Sequence, residues 1–134
     1  MLIETDLPDI LHRGKVRDTY AVDENTLLMV ATDRISAFDV VLPSGIPGKG
    51  QVLNRISAFW FDKTAHIIPN HFLCLADSPD LKSQYGDNEF LITLPPDIAS
   101  QAMIVKKAER INIECIVRGY ITGSAWLEYR REGT

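Results

Sequence analysis

Only two cysteines occur among the 134 residues, Cys74 and Cys115. They form no Cys-x-x-Cys and no Cys/His ligand spacing, so a disulfide framework and a structural zinc site are not expected. His12, His66 and His71 show no metal spacing either and read as ordinary helix or loop residues. Positive charge is scarce: 14 Lys and Arg against 18 Asp and Glu leave a net charge of −4. Such a balance gives no basic field for nucleic acid or an anionic membrane surface. No apolar run approaches the ~18 residues of a membrane-spanning helix. The first residues, MLIETDLPDILHRGK, are acidic early and hold no apolar core of a secretory signal. A reduced, cytoplasmic protein is the expectation.

What remains is an ordinary globular composition, 46% apolar and 24% charged. The length suits one modest domain, or part of a larger one. No repeat, low-complexity tract or linker interrupts it. Residues 16–22 (VRDTYAV) and 26–31 (TLLMVA) flank Asp-Glu-Asn and predict a hairpin. Residues 36–42 (SAFDVVL) predict a further strand, ended by Pro43-Ser44-Gly45 and Pro47-Gly48. Residues 51–68 predict a helix whose apolar face carries Val52, Leu53, Ile56, Phe59, Trp60 and Ile67, ended by Pro69. On that face Trp60, with Phe61 beside it, reads as core rather than as a stacking platform. Short apolar runs at 71–75, 90–94, 102–106 and 111–117 read as strands, and a helix begins at Ser124. Many strands with one long helix predict an α+β fold with a largely antiparallel sheet.

Four stretches hold the residue types of a polar site. In HRGKVRDTY (12–20), glycine lets backbone approach a phosphate that Lys15 would neutralise, although GxxxxGK[ST] is absent. A plain glycine bend with solvated Arg13, Lys15 and Arg17 fits the spacing as well. In ATDRISAFDV (31–40), Asp33, Ser36 and Asp39 can line a pocket wall. Equally, Asp33 can cap a turn and Arg34 can pair with Asp33 or Asp39. PSGIPGKGQVLN (43–54) reads as a glycine loop needing positive φ, or as a cover over an anion at a helix start. In IVKKAERINIECIVRGYITGS (104–124), Lys106 and Lys107 close one strand and Glu114 and Arg118 occupy the next. Arg118 suits a planar carboxylate or phosphate, and Ser124 reads as a helix cap beside free N–H groups.

Taken in order, GKVRD, TDRISAFDV, PGKGQVLNRIS with FWF, and IECIVRGYITGSAW closely resemble the SAICAR synthetase family. The resemblance runs from about Gly14 to Trp126, with Asn112 where the family commonly has proline. It implies an ATP-dependent ligase of purine biosynthesis, joining carboxyaminoimidazole ribonucleotide to L-aspartate with release of ADP and phosphate. By resemblance, Gly14, Lys15, Val16 and Arg17 belong to a loop over the ATP phosphates, with Lys106 and Glu114 also toward the nucleotide. Lys15, Asp33 and Asp39 are the expected catalytic groups. Ser36, Arg118 and Ser124 are expected to bind substrate.

The family's second signature, Asp-x-Lys-apolar-Glu-Phe-Gly, does not occur in this sequence, so metal-binding carboxylates are expected outside it, with ATP and Mg²⁺ as cofactors. The expected division is an ATP-binding lobe over 1–104 and a hinge with the start of a central domain over 105–134. Together they make a truncated form of a two-lobe, kinase-like or ATP-grasp-like arrangement. The isolated chain is expected to be inactive and to self-associate. Alternatives are a kinase-like phosphotransferase lobe, although GxGxxG, HRD and DFG are absent, and a non-catalytic ATP-binding module.

Overall fold

In the computed structural model of the chain, residues 1–109, 111–113 and 115–133 are described. Five strands, β1 (Ile10–Arg13), β2 (Arg17–Ala21), β3 (Thr26–Ala31), β6 (Phe72–Leu75) and β7 (Ala102–Lys106), build one antiparallel sheet. Their spatial order is β1-β2-β3-β7-β6. The predicted hairpin is β2–β3, with Tyr20 opposite Leu28 and Asp18 opposite Val30. The strand β1 was not foreseen, because ILHR carries a period-2 signal too short to read.

Alternation decides which side chains enter the core. Tyr20, Leu28, Val30 and Ile104 are fully buried on one sheet face, with Cys74 and Ala102 beside them. Three short helices cover that face: α2 (Pro79–Tyr85), α3 (Glu89–Ile92) and α4 (Pro96–Ala99). They contribute Leu81, Leu91, Ile98 and Ala99. The run FLITL, read as a strand, is mostly α3. Asn88 explains the difference: its side chain accepts from the Leu91 N–H at 3.1 Å and starts a helical turn.

The long helix α1 (Lys49–Thr64) crosses the other face. It starts after Gly48, which sits at φ +76, a left-handed conformation that favours glycine. Its orientation corrects the sequence expectation. The buried residues are Gly50, Asn54 and Ala58, one per turn, whereas Phe59 and Trp60 are more than half exposed. Val52, Leu53, Ile56 and Ile67 are exposed as well. Gly50 approaches the Ala31 carbonyl so closely that a Cβ there would collide with it and with the Gln101 side chain. Asn54 Nδ2 donates to the Ala102 carbonyl at 2.9 Å. A thin seam therefore docks the helix, and bulky residues are displaced outward.

The expected strand at 36–42 is two strands, β4 (Arg34–Ala37) and β5 (Val40–Gly45), paired as a separate hairpin. The stretch 111–117 forms no strand among the described residues, and those residues are exposed. Its described residues join no ladder with the strands of either sheet. The last helix, α5 (Gly123–Glu132), is exposed on all sides. No helix among the described residues is long and apolar enough to cross a membrane.

Candidate functional site

Residues 14–16 join β1 to β2 in a tight turn. The Gly14 N–H donates to the Arg17 carbonyl at 2.7 Å. A Cβ at Gly14 would stand 3.1 Å from that same oxygen, so the turn is tightest with glycine. The junction of β3 and β4 lies beneath. Thr32 donates twice to the Val16 carbonyl, from N–H at 3.0 Å and from Oγ1 at 2.9 Å. Arg34 Nη2 donates to the Gly14 carbonyl at 2.9 Å, and Nε to the Lys15 carbonyl at 3.0 Å. Three successive loop carbonyls are held from below.

Arg34 continues the network. Its Nη2 donates to Asp18 Oδ1 at 2.7 Å and its Nη1 to the Ile3 carbonyl at 2.7 Å. Pairing with Asp33 or Asp39, the sequence expectation, does not occur. Asp18 faces inward from β2 and is completely buried, so it meets the guanidinium first. Thr5 Oγ1 also donates to Asp18 Oδ2, at 2.7 Å. Burial alone would raise the Asp18 pKa, but the bonds from Arg34 and Thr5, with the charges of Arg34 and Arg13, hold it below the ordinary value.

Asp33 is 1% exposed, and its carboxylate is filled. Oδ2 accepts from the Leu2 N–H and Oδ1 from the Gly50 N–H, each at 2.9 Å, with Gln101 Nε2 at 3.3 Å. These long-range bonds replace the expected local turn cap. They tie the first residues, the start of α1 and the approach to β7 together. Burial raises its pKa, yet the backbone N–H bonds more than compensate, and the carboxyl titrates below its ordinary value. In this arrangement Asp33 holds the scaffold, with both carboxylate oxygens accepting hydrogen bonds.

Lys15 and Asp39 are brought together as an exposed ion pair, and this pair holds the Asp39 carboxyl below its ordinary pKa. Asp39 lies at the tip of the β4–β5 hairpin, where Phe38 and Asp39 both take positive φ, 49° and 65°. Two left-handed residues make a type I′-like turn whose twist suits a hairpin. Ser36 sits on β4 of the same hairpin, exposed.

A cleft opens between the sheet and α1. Arg17, Met29, Met103, Asn54, Phe61 and His71 are among its walls. Arg17 connects the glycine turn to this cleft. Met103 belongs to β7, which ends at Lys106, whose N–H donates to the His71 carbonyl at 2.7 Å. Burial, aided by the charge of Arg17, holds the His71 pKa below its ordinary value.

Arg118 and Ser124 line a second, shallow and open depression at the start of α5. Arg118 Nη1 lies 3.4 Å from Thr122 Oγ1. Thr122, not Ser124, is the N-cap residue, and its side chain makes no capping bond. Ser124 instead occupies the first helical turn. Glu114 lies outside the described residues.

The sequence reading missed Asp18 and Thr32. Asp18 carried a usable signal: it shares the inward face of β2 with Tyr20, and an inward carboxylate demands a partner. Thr32 carried none, since its role arises only from the proximity of the turn.

A family model described as SAICAR synthetase matches residues 10–134. A phosphoribosylaminoimidazole-succinocarboxamide synthase of Nitrosomonas europaea is 52% identical over 97% of this chain and 41% of the relative. That of Komagataella pastoris is 48% identical over 99% of this chain and 44% of the relative. The solved SAICAR synthase of Saccharomyces cerevisiae, complexed with SAICAR, is 40% identical with a TM-score of 0.81, over 100% of this chain and 46% of that one. A type-2 SAICAR synthetase in complex with ADP shares the fold at 22% identity and a TM-score of 0.53, over 74% of this chain and 33% of that one. The chain thus spans less than half the length of the curated relatives it matches.

Proposed function

The chain belongs to the SAICAR synthetase family, and from that premise we propose that it carries the nucleotide-receiving part of an ATP-dependent ligase of purine biosynthesis. The reaction joins the carboxylate of carboxyaminoimidazole ribonucleotide to the amine of L-aspartate and releases ADP and phosphate. A carboxylate resists attack by an amine because it is anionic and has no good leaving group. Transfer of the ATP γ-phosphoryl group to a carboxylate oxygen gives an acyl phosphate and ADP. The aspartate nitrogen then forms the C–N bond as the C–O bond to phosphate breaks, and the amine loses a proton. Such chemistry rests on positioning and charge neutralisation.

One observation carries the reading: Arg17, which closes the Gly14 turn, lines the cleft together with Met103 of β7, the strand that ends at Lys106. We place the base in that cleft and the phosphates at Lys15, Val16 and Arg17. Lys15 would exchange Asp39 for a phosphate oxygen, which leaves Asp39 beside the reacting groups. Arg118 and Ser124, with Ser36, are assigned to the ribonucleotide and its phosphate. Among the described residues no three His, Cys, Asp or Glu side chains are grouped to hold a metal ion. We assign Mg²⁺ to the ATP phosphates, with the carboxylates that would hold it expected outside these residues. The compartment we assign is the cytoplasm, where the free thiols of Cys74 and Cys115 stay reduced.

The test is titration of the purified chain with ATP and with adenosine. ATP is expected to bind more tightly, and Lys15→Ala to weaken ATP by ~10-fold while leaving adenosine unchanged, the loss of one charged contact. Equal affinity for the two ligands would overturn the assignment of the turn to phosphates.

A further inference from the structure

We propose that Arg34 is a positioning residue that sets the Gly14–Val16 turn with its amide edge outward. The Gly14 and Lys15 carbonyls both point down onto one guanidinium, at 2.9 and 3.0 Å. Each belongs to a trans peptide unit, for the chain has no cis bond. In a trans unit the carbonyl and the next N–H lie on opposite edges. The Lys15 and Val16 N–H groups therefore face away from Arg34. Thr32 does the same for the next unit by taking the Val16 carbonyl. Successive amides on one edge of a turn make a concave receptor for an anion.

The guanidinium is itself fixed. It is 8% exposed, and Asp18 and the Ile3 carbonyl hold its remaining edge. A planar fork with five donors meets these four partners at once, and a lysine ammonium on a flexible stem does not. The network also explains why the first residues lie across the sheet. Ile3 and Thr5 complete the surroundings of Arg34 and Asp18, so the N-terminal segment braces the turn from behind.

The ligand side of this inference rests on the nucleotide reading above; the geometric side does not, and the experiment separates them. Amide hydrogen exchange is measured residue by residue in the unaltered chain, in Arg34→Gln and in Arg34→Lys. The Gly14 and Thr32 amides, bonded at the turn, are expected to exchange ~10-fold faster in both variants, while β3 and β7 core amides keep their rates. Acceleration shared equally by core and turn, or rescue by lysine, would overturn the proposal by making Arg34 a general stabiliser or a simple charge. If neither variant folds, Asp18→Asn, which loosens the guanidinium without removing it, is read in the same way. In parallel, ATP and adenosine are titrated: the variants are expected to lose the ATP advantage and retain adenosine binding. Absence of that advantage in the unaltered chain would remove the nucleotide reading, and the exchange rates would still decide the role of Arg34.

Discussion

β7 and the stretch 111–117 are both short and apolar, yet they occupy opposite environments. β7 runs between β3 and β6, hydrogen-bonded on both edges, with Ala102, Met103, Ile104 and Val105 buried. Ile111 and Ile113 are 77% and 72% exposed, and the residues around them join no described ladder. The difference lies in the neighbours. A strand gains its stability from cross-strand contacts and burial on a face that others complete. β7 has β3 on one side and β6 on the other; the described residues of 111–117 join no strand ladder.

Mutation should reproduce this contrast. Ile104→Ala should lower the unfolding free energy by ~2–5 kcal/mol, whereas Ile113→Ala should change it by less than ~0.5 kcal/mol. Urea denaturation measures both, and similar losses at the two sites would break the contrast. Asn54→Ala tests how β7 is held on its α1 side. Removing the amide leaves the Ala102 carbonyl without its donor and should cost ~1–3 kcal/mol; an unchanged midpoint would show that the helix docks without it. The smallest effect concerns acid. Asp18 and Asp33 titrate below the ordinary 3.8 in the fold, so their stabilisation is present above about that pH and is lost as pH falls below it. Asp33→Asn should flatten the fall in thermal midpoint between about pH 4 and pH 2, and an unaltered slope would remove Asp33 from the account.

Much of the sheet was legible. β2, β3 and β7 follow from alternation and turn residues, and α1 from its length and the proline beyond it. What escaped needed distant partners. The apolar side of α1 marks out a helix but not the face it buries, because close packing favoured Gly50 and Ala58 over Phe59 and Trp60. The site divides the same way. Lys15 and Arg17 sit in one turn and Asp39 pairs with Lys15, a proximity that the sequence order alone does not show. Arg34 was visible as a charge seeking a partner, but its partners come from residues 3, 14, 15 and 18, which only the folded chain collects. Asp33 was legible as a polar group at a chain reversal, but the Leu2, Gly50 and Gln101 donors that it accepts from come from distant residues.

The seam of Gly50, Asn54 and Ala58 also sets the rotational phase of α1. Adjacent helical positions differ by about 100° around the axis. One step of rotation would replace Asn54 by Leu53 or Arg55 at the sheet and put a bulky side chain where the Ala102 oxygen requires a donor. A single amide thus indexes the whole cylinder. Because Leu53, Asn54, Ser57 and Phe61 all line the cleft, the same index decides which side chains form its roof.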